Sequence, residues 1–168
     1  MAPDKQLAYI RPVDQTEKKK IVIGTDHGGV DLKNHLRNYL ESIGYEVMDM
    51  GVSDKESVDY PDTSERTCIE YKKGGYKLGI VLCGTGIGAS IAANKVPGIR
   101  CALVHDLYTA EMARAHNKAN VVAFGGRITY AVPPERLLDH FFETDFLEGR
   151  HKRRIDKISK LEERYPSL

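Results

Sequence analysis

The stretch KLGIVLCGTGIGAS at residues 77–90 decides the fold class of this chain. Its first half is a continuous apolar run, which is typical of a strand buried on both faces of a sheet. Its second half places Gly84, Gly86 and Gly88 at alternate positions and then continues with helical spacing. A strand that passes through a glycine-rich turn into a helix indicates a βαβ unit of a parallel sheet.

The same alternation of apolar run, turn and helical segment recurs from Lys20 onward. It predicts strands at residues 20–24, 45–50, 77–82, 100–104 and 120–124, all of them buried on both faces. It predicts helices at residues 29–42, 62–73, 88–95, 106–116, 134–143 and 152–165. The expected fold is therefore a single α/β domain, with a three-layer α/β/α Rossmann-like arrangement around a five-stranded parallel sheet in flavodoxin-like order.

Length and composition narrow the class of protein further. A chain of 168 residues, 41% hydrophobic and 29% charged, suits one domain with a real core. Residues 1–19 carry no sustained apolar period, so we expect an N-terminal extension there and the folded domain at residues 20–168. The net charge of +1 gives no general reason to expect binding to nucleic acid or membranes. No apolar run approaches the ~20 residues of a membrane span and no signal-peptide core is evident, so we expect a cytoplasmic protein.

The three cysteines differ in their surroundings. An odd number of cysteines argues against a disulfide framework. Cys68 lies in an amphipathic helix and Cys101 in a strand, so both are expected in the core. Cys83 instead stands between a strand and the glycine run, where a helix start favours a thiolate, although a small buried hydrophobe is the alternative.

Parallel sheets of this type bind ligands at the carboxyl ends of their strands, where the strand order reverses. Here that point is the end of the first and third strands, which carry Asp26-His27-Gly28-Gly29 and the run from Cys83 to Gly88. Backbone amides of the glycine run can form an oxyanion hole. Asp26 and His27 either bind sugar hydroxyls and a phosphate beside an open helix start, or form a helix cap with a partly exposed histidine.

Other ligand motifs match less well. Gly84, Gly86 and Ala89 fit a dinucleotide fingerprint with Asp106 downstream, but this run follows the third strand rather than the first. A P-loop is excluded because no Lys-Ser or Lys-Thr follows the glycines at the required spacing. We expect no metal, because no second histidine or cysteine stands at ligand spacing.

Another group of candidates belongs to the opposite edge of the sheet, meaning the edge at which the parallel strands begin. His116 and Asn117 end the fourth helix, which runs back from the edge that carries Cys83. The same topology puts Arg150 and Arg154 near that far edge. These residues either serve the site through a second subunit or are a helix cap and a solvated basic turn. Arg127 follows the fifth strand, where its guanidinium either binds a phosphate through two hydrogen bonds or pairs with a surface carboxylate.

These motifs together resemble the family of type B ribose-5-phosphate isomerases and galactose-6-phosphate isomerase subunits. The resemblance extends from about Lys20 to the C-terminus. Its marks are Asp26-His27-Gly28-Gly29, Asp59-Tyr60-Pro61, Cys83 to Gly88, Ser90 to Lys95, His116-Asn117, Phe124 to Arg127 and Gly149-Arg150-His151. Ala89 stands where one branch of the family has a glutamate base, so this chain resembles the cysteine branch.

The resemblance implies a metal-free and cofactor-free aldose–ketose isomerase of the pentose phosphate pathway. It would interconvert ribose 5-phosphate and ribulose 5-phosphate through a cis-enediolate, in a sugar-phosphate isomerase domain at residues 20–168. Cys83 would be the base, Thr85 would orient the thiol or substrate, and the backbone of Gly84, Gly86, Ile87 and Gly88 would hold the enediolate oxygens.

The remaining residues acquire implied roles in binding. His116 would open the furanose ring with Asp26 as polar partner and Asn117 steadying the reacting oxygens. His27, Arg127, Arg150 and Arg154 would hold the phosphate, and Tyr60 would line the pocket. The implied assembly is a homodimer with active sites at the subunit interface, with a tetramer of dimers left open.

Two alternatives stay open on the sequence alone. One is a hexose 6-phosphate isomerase acting on allose or galactose 6-phosphate, because one further carbon changes pocket depth and leaves the reacting groups alike. The other is a non-catalytic module that binds a sugar phosphate or nucleotide, for which Cys83 would have no chemical purpose.

Overall fold

The computed structural model describes residues 19–54 and 56–165. The predicted N-terminal extension lies outside the described residues except for Lys19. Within the described ranges no helix is long and apolar enough to cross a membrane.

Within the described residues, five strands alternate with six α-helices, as the sequence predicts. The strands are β1 (Lys20–Thr25), β2 (Glu46–Asp49), β3 (Tyr76–Cys83), β4 (Cys101–Leu103) and β5 (Val121–Gly125). The helices are α1 (Val30–Ser42), α2 (Tyr60–Lys72), α3 (Ile87–Ala93), α4 (Leu107–Ala115), α5 (Pro134–Glu143) and α6 (Arg150–Arg164). A short 3₁₀ turn at His27–Gly29 connects β1 to α1. The predicted elements are confirmed, with boundaries that differ by a few residues.

The sheet is parallel throughout, and its strand order is β2-β1-β3-β5-β4. The flavodoxin-like order is therefore wrong at one side, since it would put β4 beside β3. Burial explains the exchange: every residue of β5 is buried, whereas β4 has three residues and each is partly exposed. The longer and more apolar strand takes the inner position, and the short strand becomes the edge.

The expectation that all strands are buried on both faces is also wrong at the two edges. Residues of β2 alternate between exposed and partly exposed, and β4 is partly exposed throughout. β3 is buried at every residue except the partly exposed Lys77, and β1 at every residue except Lys20. An edge strand has a neighbour on one side only, so its side chains receive less cover from the flanking helices.

Successive strand residues face opposite sides of the sheet, and two apolar cores result. One core lies between the sheet and helices α1, α4 and α5, through residues such as Leu36, Ala113 and Leu137. The other lies between the sheet and helices α2 and α3, where Cys68 and Ala89 are fully buried. The three-layer α/β/α prediction is confirmed.

Candidate active site

The switch point lies at the centre of the sheet, where β1 and β3 are neighbours and Thr25 pairs with Leu82. The loops that leave these strands touch: a Cβ on Gly28 would lie 2.8 Å from the backbone nitrogen of Gly84. The loop after β5 joins them, since a Cβ on Gly126 would lie 2.4 Å from the carbonyl oxygen of Gly28. Glycine is required at these contacts because three backbones meet without space for side chains.

Cys83 is the last residue of β3, and its side chain lies in this junction with 5% of its surface exposed. The backbone N–H of Gly86 donates to Cys83 Sγ at 3.2 Å. Gly86 has a φ of +77°, which lets its amide turn toward the sulfur. The positive end of an amide dipole therefore faces the thiol, and such a contact stabilises a thiolate.

The rest of the glycine run forms a compact turn before α3. Thr85 is exposed, and its hydroxyl accepts a hydrogen bond from the backbone N–H of Ile87 at 3.3 Å. Tyr60, the first residue of α2, covers Gly88, since a Cβ there would lie 2.7 Å from the tyrosine ring. Gly84 is partly exposed and faces the side chain of Arg127. Tyr60 thus forms one wall beside the glycine run.

Asp26 and His27 follow β1 at the same junction. Asp26 is 6% exposed, and its Oδ1 accepts a hydrogen bond from the backbone N–H of Gly28 at 2.8 Å. His27 Nδ1 accepts from the backbone N–H of Val58 at 3.3 Å, which ties the loop after β2 to the site. The helix-cap interpretation of Asp26 is correct, and the cap also places its carboxylate beside the glycine run.

Arg127 approaches from β5. Its backbone N–H donates to the carbonyl of Gly84 at 2.9 Å, and its side chain is exposed. A Cβ on Gly84 would lie 3.5 Å from Arg127 Cδ and Nη1, so the guanidinium lies over the glycine run. A guanidinium in this position can bind an anionic group that enters from solvent through two parallel hydrogen bonds.

The second group of candidates lies at the opposite edge of the sheet, as the direction of α4 predicts. His116 follows α4, and Arg100, just before β4, donates to the carbonyl of Asn117 at 3.1 Å. The Asn117 side chain donates to the carbonyl of Met112 at 3.0 Å, so it caps α4. Within one chain the structure does not bring His116 and Asn117 to Cys83 or Asp26.

Arg150 begins α6 at this far edge, and Arg154 follows one turn later. Both arginines are exposed. The ring of His151 stacks on His116, with centroids 4.0 Å apart and planes 12° from parallel. Arg150 therefore belongs to the His116 group rather than to the Cys83 group.

Sequence reasoning missed two residues of these groups, Tyr130 and His151. The Tyr130 hydroxyl accepts from the backbone N–H of Gly125 at 2.8 Å, at the strand end that pairs with Cys83. Burial raises the pKa of Tyr130, although the hydrogen bond from the Gly125 N–H acts in the opposite direction. Tyr130 stands in a loop without a motif, so no periodic signal could have found it. His151 carried a signal only through the Gly149-Arg150-His151 motif.

The alternative motifs are also resolved by position. Asp106 caps α4, accepting from Thr109 N–H at 2.7 Å, so the helix start accounts for this carboxylate without a dinucleotide. Cys68 is fully buried, and burial raises the pKa of its thiol to about 12. Cys101 is partly exposed at the edge strand, and burial of its thiol raises that pKa as well. In the part of the chain that is described, His, Cys, Asp and Glu side chains form no group of three that could hold a metal ion.

Fold and site together define a class: a doubly wound α/β protein with a thiol and an amide-lined turn at the switch point. The chain matches the model of the Ribose/Galactose Isomerase family over residues 21–158. It therefore belongs to the Ribose/Galactose Isomerase family.

Known relatives agree with this membership. Ribose-5-phosphate isomerase B of Escherichia coli is 38% identical over 146 residues, which cover 87% of this chain and 98% of that protein. The structure of Clostridium thermocellum ribose-5-phosphate isomerase B matches with a TM-score of 0.84 at 46% identity, covering 87% of this chain and 99% of the other. The type B ribose 5-phosphate isomerase of Trypanosoma brucei matches with a TM-score of 0.81 at 41% identity, covering 86% and 99%.

Proposed function

We propose that this protein is an aldose–ketose isomerase that interconverts ribose 5-phosphate and ribulose 5-phosphate. The observation that carries the proposal is the Gly86 N–H donating to Cys83 Sγ at the switch point. Family membership supports the isomerase class, and the names of the relatives support a phosphorylated pentose as substrate.

Cys83 acts as the base in this proposal. Its thiolate takes the proton from C2 of the open-chain aldose, and the electron pair moves through C1 to the carbonyl oxygen to give a cis-enediolate. The thiol returns that proton to C1, while a proton passes from the C2 oxygen to the C1 oxygen. Amides of the turn from Gly84 to Gly88 stabilise the negative charge on the enediolate oxygens. Thr85 orients the thiol or the substrate within this turn.

His116 opens the furanose ring by moving a proton at the ring oxygen, with Asp26 as its polar partner and Asn117 steadying the reacting oxygens. The substrate phosphate is held by His27 and by the cations Arg127, Arg150 and Arg154. His116, Asn117 and the two α6 arginines lie across the sheet from Cys83, so they reach the site from a second subunit.

The active assembly is accordingly a homodimer with two composite sites. Exposed apolar residues support an interface close to the glycine run: Ile87 is 53% exposed and Ile91, on the same face of α3, is 57% exposed. Apolar residues on one exposed face next to an incomplete site are the surface that a partner subunit would cover.

A hexose 6-phosphate is the second candidate substrate, because the family description names galactose beside ribose. The reacting carbons are alike in both sugars, and the distance from C2 to the phosphate differs by one carbon. Comparing kcat/KM on ribose 5-phosphate with that on allose 6-phosphate and galactose 6-phosphate separates the two proposals.

The state of the cysteines supports the proposal of a cytoplasmic location. Cys68, Cys83 and Cys101 are all free thiols among the described residues. A thiol base works only while it stays reduced, which a compartment rich in glutathione and thioredoxin provides.

The first experiment measures ribulose 5-phosphate formation from ribose 5-phosphate after chelator treatment, for the wild-type protein and for Cys83→Ala. We expect turnover that survives the chelator and is lost in the variant. Activity lost with the chelator would overturn the metal-free mechanism. Saturable binding without turnover in either protein, on pentose and hexose phosphates alike, would favour the non-catalytic module.

A further inference from the structure

His151 is the most unusual side chain of the far edge. It is 5% exposed, whereas its neighbours Lys152, Arg153 and Arg154 on the first turns of α6 are exposed. One face of its ring stacks on His116 at 4.0 Å. Its Nε2 accepts a hydrogen bond from Arg150 Nε at 3.3 Å. One buried ring therefore contacts both His116 and Arg150.

We propose that His151 is a positioning residue, which fixes the ring plane of His116 and the direction of the Arg150 guanidinium as one unit. The inference rests on the proposed function, because that function gives His116 its role in ring opening and Arg150 its role in phosphate binding. His151 itself does not touch the substrate.

The hydrogen bond determines the form of the ring. A guanidinium N–H only donates, so His151 Nε2 must be an unprotonated acceptor and the imidazole is neutral with its proton on Nδ1. The surroundings agree: burial lowers the pKa of His151, and His116, Arg150 and Arg154 lower it further. A neutral ring stacks on His116 without placing a positive charge against it.

The same hydrogen bond determines what Arg150 can do. Because the Nε–H of Arg150 is engaged by His151, the guanidinium binds a phosphate through its terminal amino groups. A planar fork that is held along one side loses less side-chain entropy when it binds a phosphate. The stack acts in parallel on His116, which must meet the ring oxygen of the sugar within a narrow range of angles.

Two substitutions separate the two contacts. His151→Phe keeps an aromatic ring against His116 and removes the acceptor for Arg150. His151→Gln keeps a polar acceptor and removes the ring. The matched control is His35→Phe on α1, where the histidine contacts Glu135 and its side chain is 55% exposed.

We expect His151→Phe to raise KM for ribose 5-phosphate about tenfold with little change in kcat, since a hydrogen bond to a charged group is lost. We expect His151→Gln to lower kcat on ribose 5-phosphate about tenfold. The same variant should keep most of its kcat on ribulose 5-phosphate, because that ketose is acyclic and needs no ring opening. His35→Phe should match the wild-type protein in both directions.

The outcomes distinguish the inference from the function on which it rests. If both His151 variants lose kcat equally on ribose 5-phosphate and on ribulose 5-phosphate, and their Tm falls, His151 has a structural role only and the inference is wrong. Wild-type kinetics in both variants would also overturn the inference, and the isomerase proposal would stand if Cys83→Ala is inactive. Full activity of Cys83→Ala would instead overturn the thiol-base mechanism, whatever the His151 variants do.

Discussion

At the residue scale the site depends on Gly86, which holds a positive φ and aims its amide at Cys83 Sγ. A Cβ there would lie 2.7 Å from Leu103 Cδ1 and 2.8 Å from the carbonyl carbon of Phe124. Gly86→Ala therefore combines backbone strain with overlap, and we expect a loss of about 3 kcal/mol in the free energy of unfolding. Turnover should fall more than the folded fraction does, because the amide leaves the sulfur.

Gly75 is the matched control for this prediction. It has a φ of +86°, and nothing lies within 4 Å of a Cβ added there. Gly75→Ala should cost only about 1 kcal/mol from backbone strain and leave turnover unchanged. Urea denaturation and initial rates of both variants provide the comparison. Equal stability losses would show that the collision at Gly86 is relieved by small shifts of its neighbours.

Residue identities were predictable at this scale because the motifs fall at strand ends, whose position the apolar runs define. Asp26, Cys83 and Arg127 all lie at the junction that the topology argument nominated. The contacts were not predictable: Tyr130 and His151 reach their neighbours through tertiary packing that has no period in the sequence. Their contacts depend on which loops lie next to each other, and only the folded chain shows that arrangement.

At the element scale a buried ion pair connects α1 to the end of β2, and a hydrogen bond from the same lysine reaches the following loop. Lys33 Nζ lies 2.7 Å from Asp49 Oδ2 and donates to the carbonyl of Val52 at 2.9 Å, with its side chain 3% exposed. Lys33→Met leaves a half-buried carboxylate with Arg37 as its remaining cation. We expect the free energy of unfolding to fall by about 3 kcal/mol, because removing one partner of a buried pair leaves its desolvation uncompensated.

The exposed pair of Lys20 with Glu46 provides the control, since its side chains are 52% and 64% exposed at a distance of 3.0 Å. Lys20→Met should change the free energy of unfolding by no more than about 0.5 kcal/mol. Denaturation midpoints in urea at one ionic strength test both substitutions. A loss at Lys33 as small as that at Lys20 would contradict the argument from burial.

A tyrosine contact gives the junction of α2 and β3 a dependence on alkaline pH. The Tyr76 hydroxyl donates to Glu70 Oε1 at 2.6 Å. That hydrogen bond, together with burial, raises the pKa of Tyr76 from 10.0 to about 12. Above pH 10 the unfolded chain therefore loses this proton first, so stability falls as the pH rises toward 12.

Tyr76→Phe should remove this contribution. We expect a cost of about 1–2 kcal/mol at neutral pH from the lost hydrogen bond and a shallower fall in Tm between about pH 10 and 12. Tyr108→Phe, at a residue that is 69% exposed, is the control. An unchanged alkaline slope in Tyr76→Phe would mean that Tyr76 ionises alike in both states.

The strand order illustrates what element patterns predict and what they do not. Alternation of strands and helices gave the parallel sheet and its three layers, because crossover connections restrict the topology. Alternation does not determine which of β4 and β5 lies beside β3. That choice depends on which strand is more deeply buried, and only the folded sheet shows that all five residues of Val121–Gly125 are buried. A shorter run flanked by Arg100 and His105 was the available signal for an edge strand.

At the scale of the whole molecule, the separation of Cys83 from His116 has a stoichiometric consequence. If the active site takes Cys83 from one subunit and His116 from its partner, Cys83→Ala and His116→Ala dimers are each inactive. A mixed dimer that keeps the two-fold arrangement of the homodimer then contains one site with both residues intact and one with neither. Random mixing makes about half of the dimers mixed, so about a quarter of the wild-type activity should return.

The pair His116→Ala and Arg150→Ala is the control, because both residues belong to the same edge of one subunit. Every site of that mixed dimer keeps one defect, so mixing should restore nothing beyond the activity of the parents. Subunit exchange is verified by native mass spectrometry, and recovered activity is followed as the mixing ratio varies. Recovery that peaks at equal amounts for the first pair and is missing for the second requires a composite site. If the first pair exchanges subunits without recovery, Cys83 and His116 do not combine in one site across subunits.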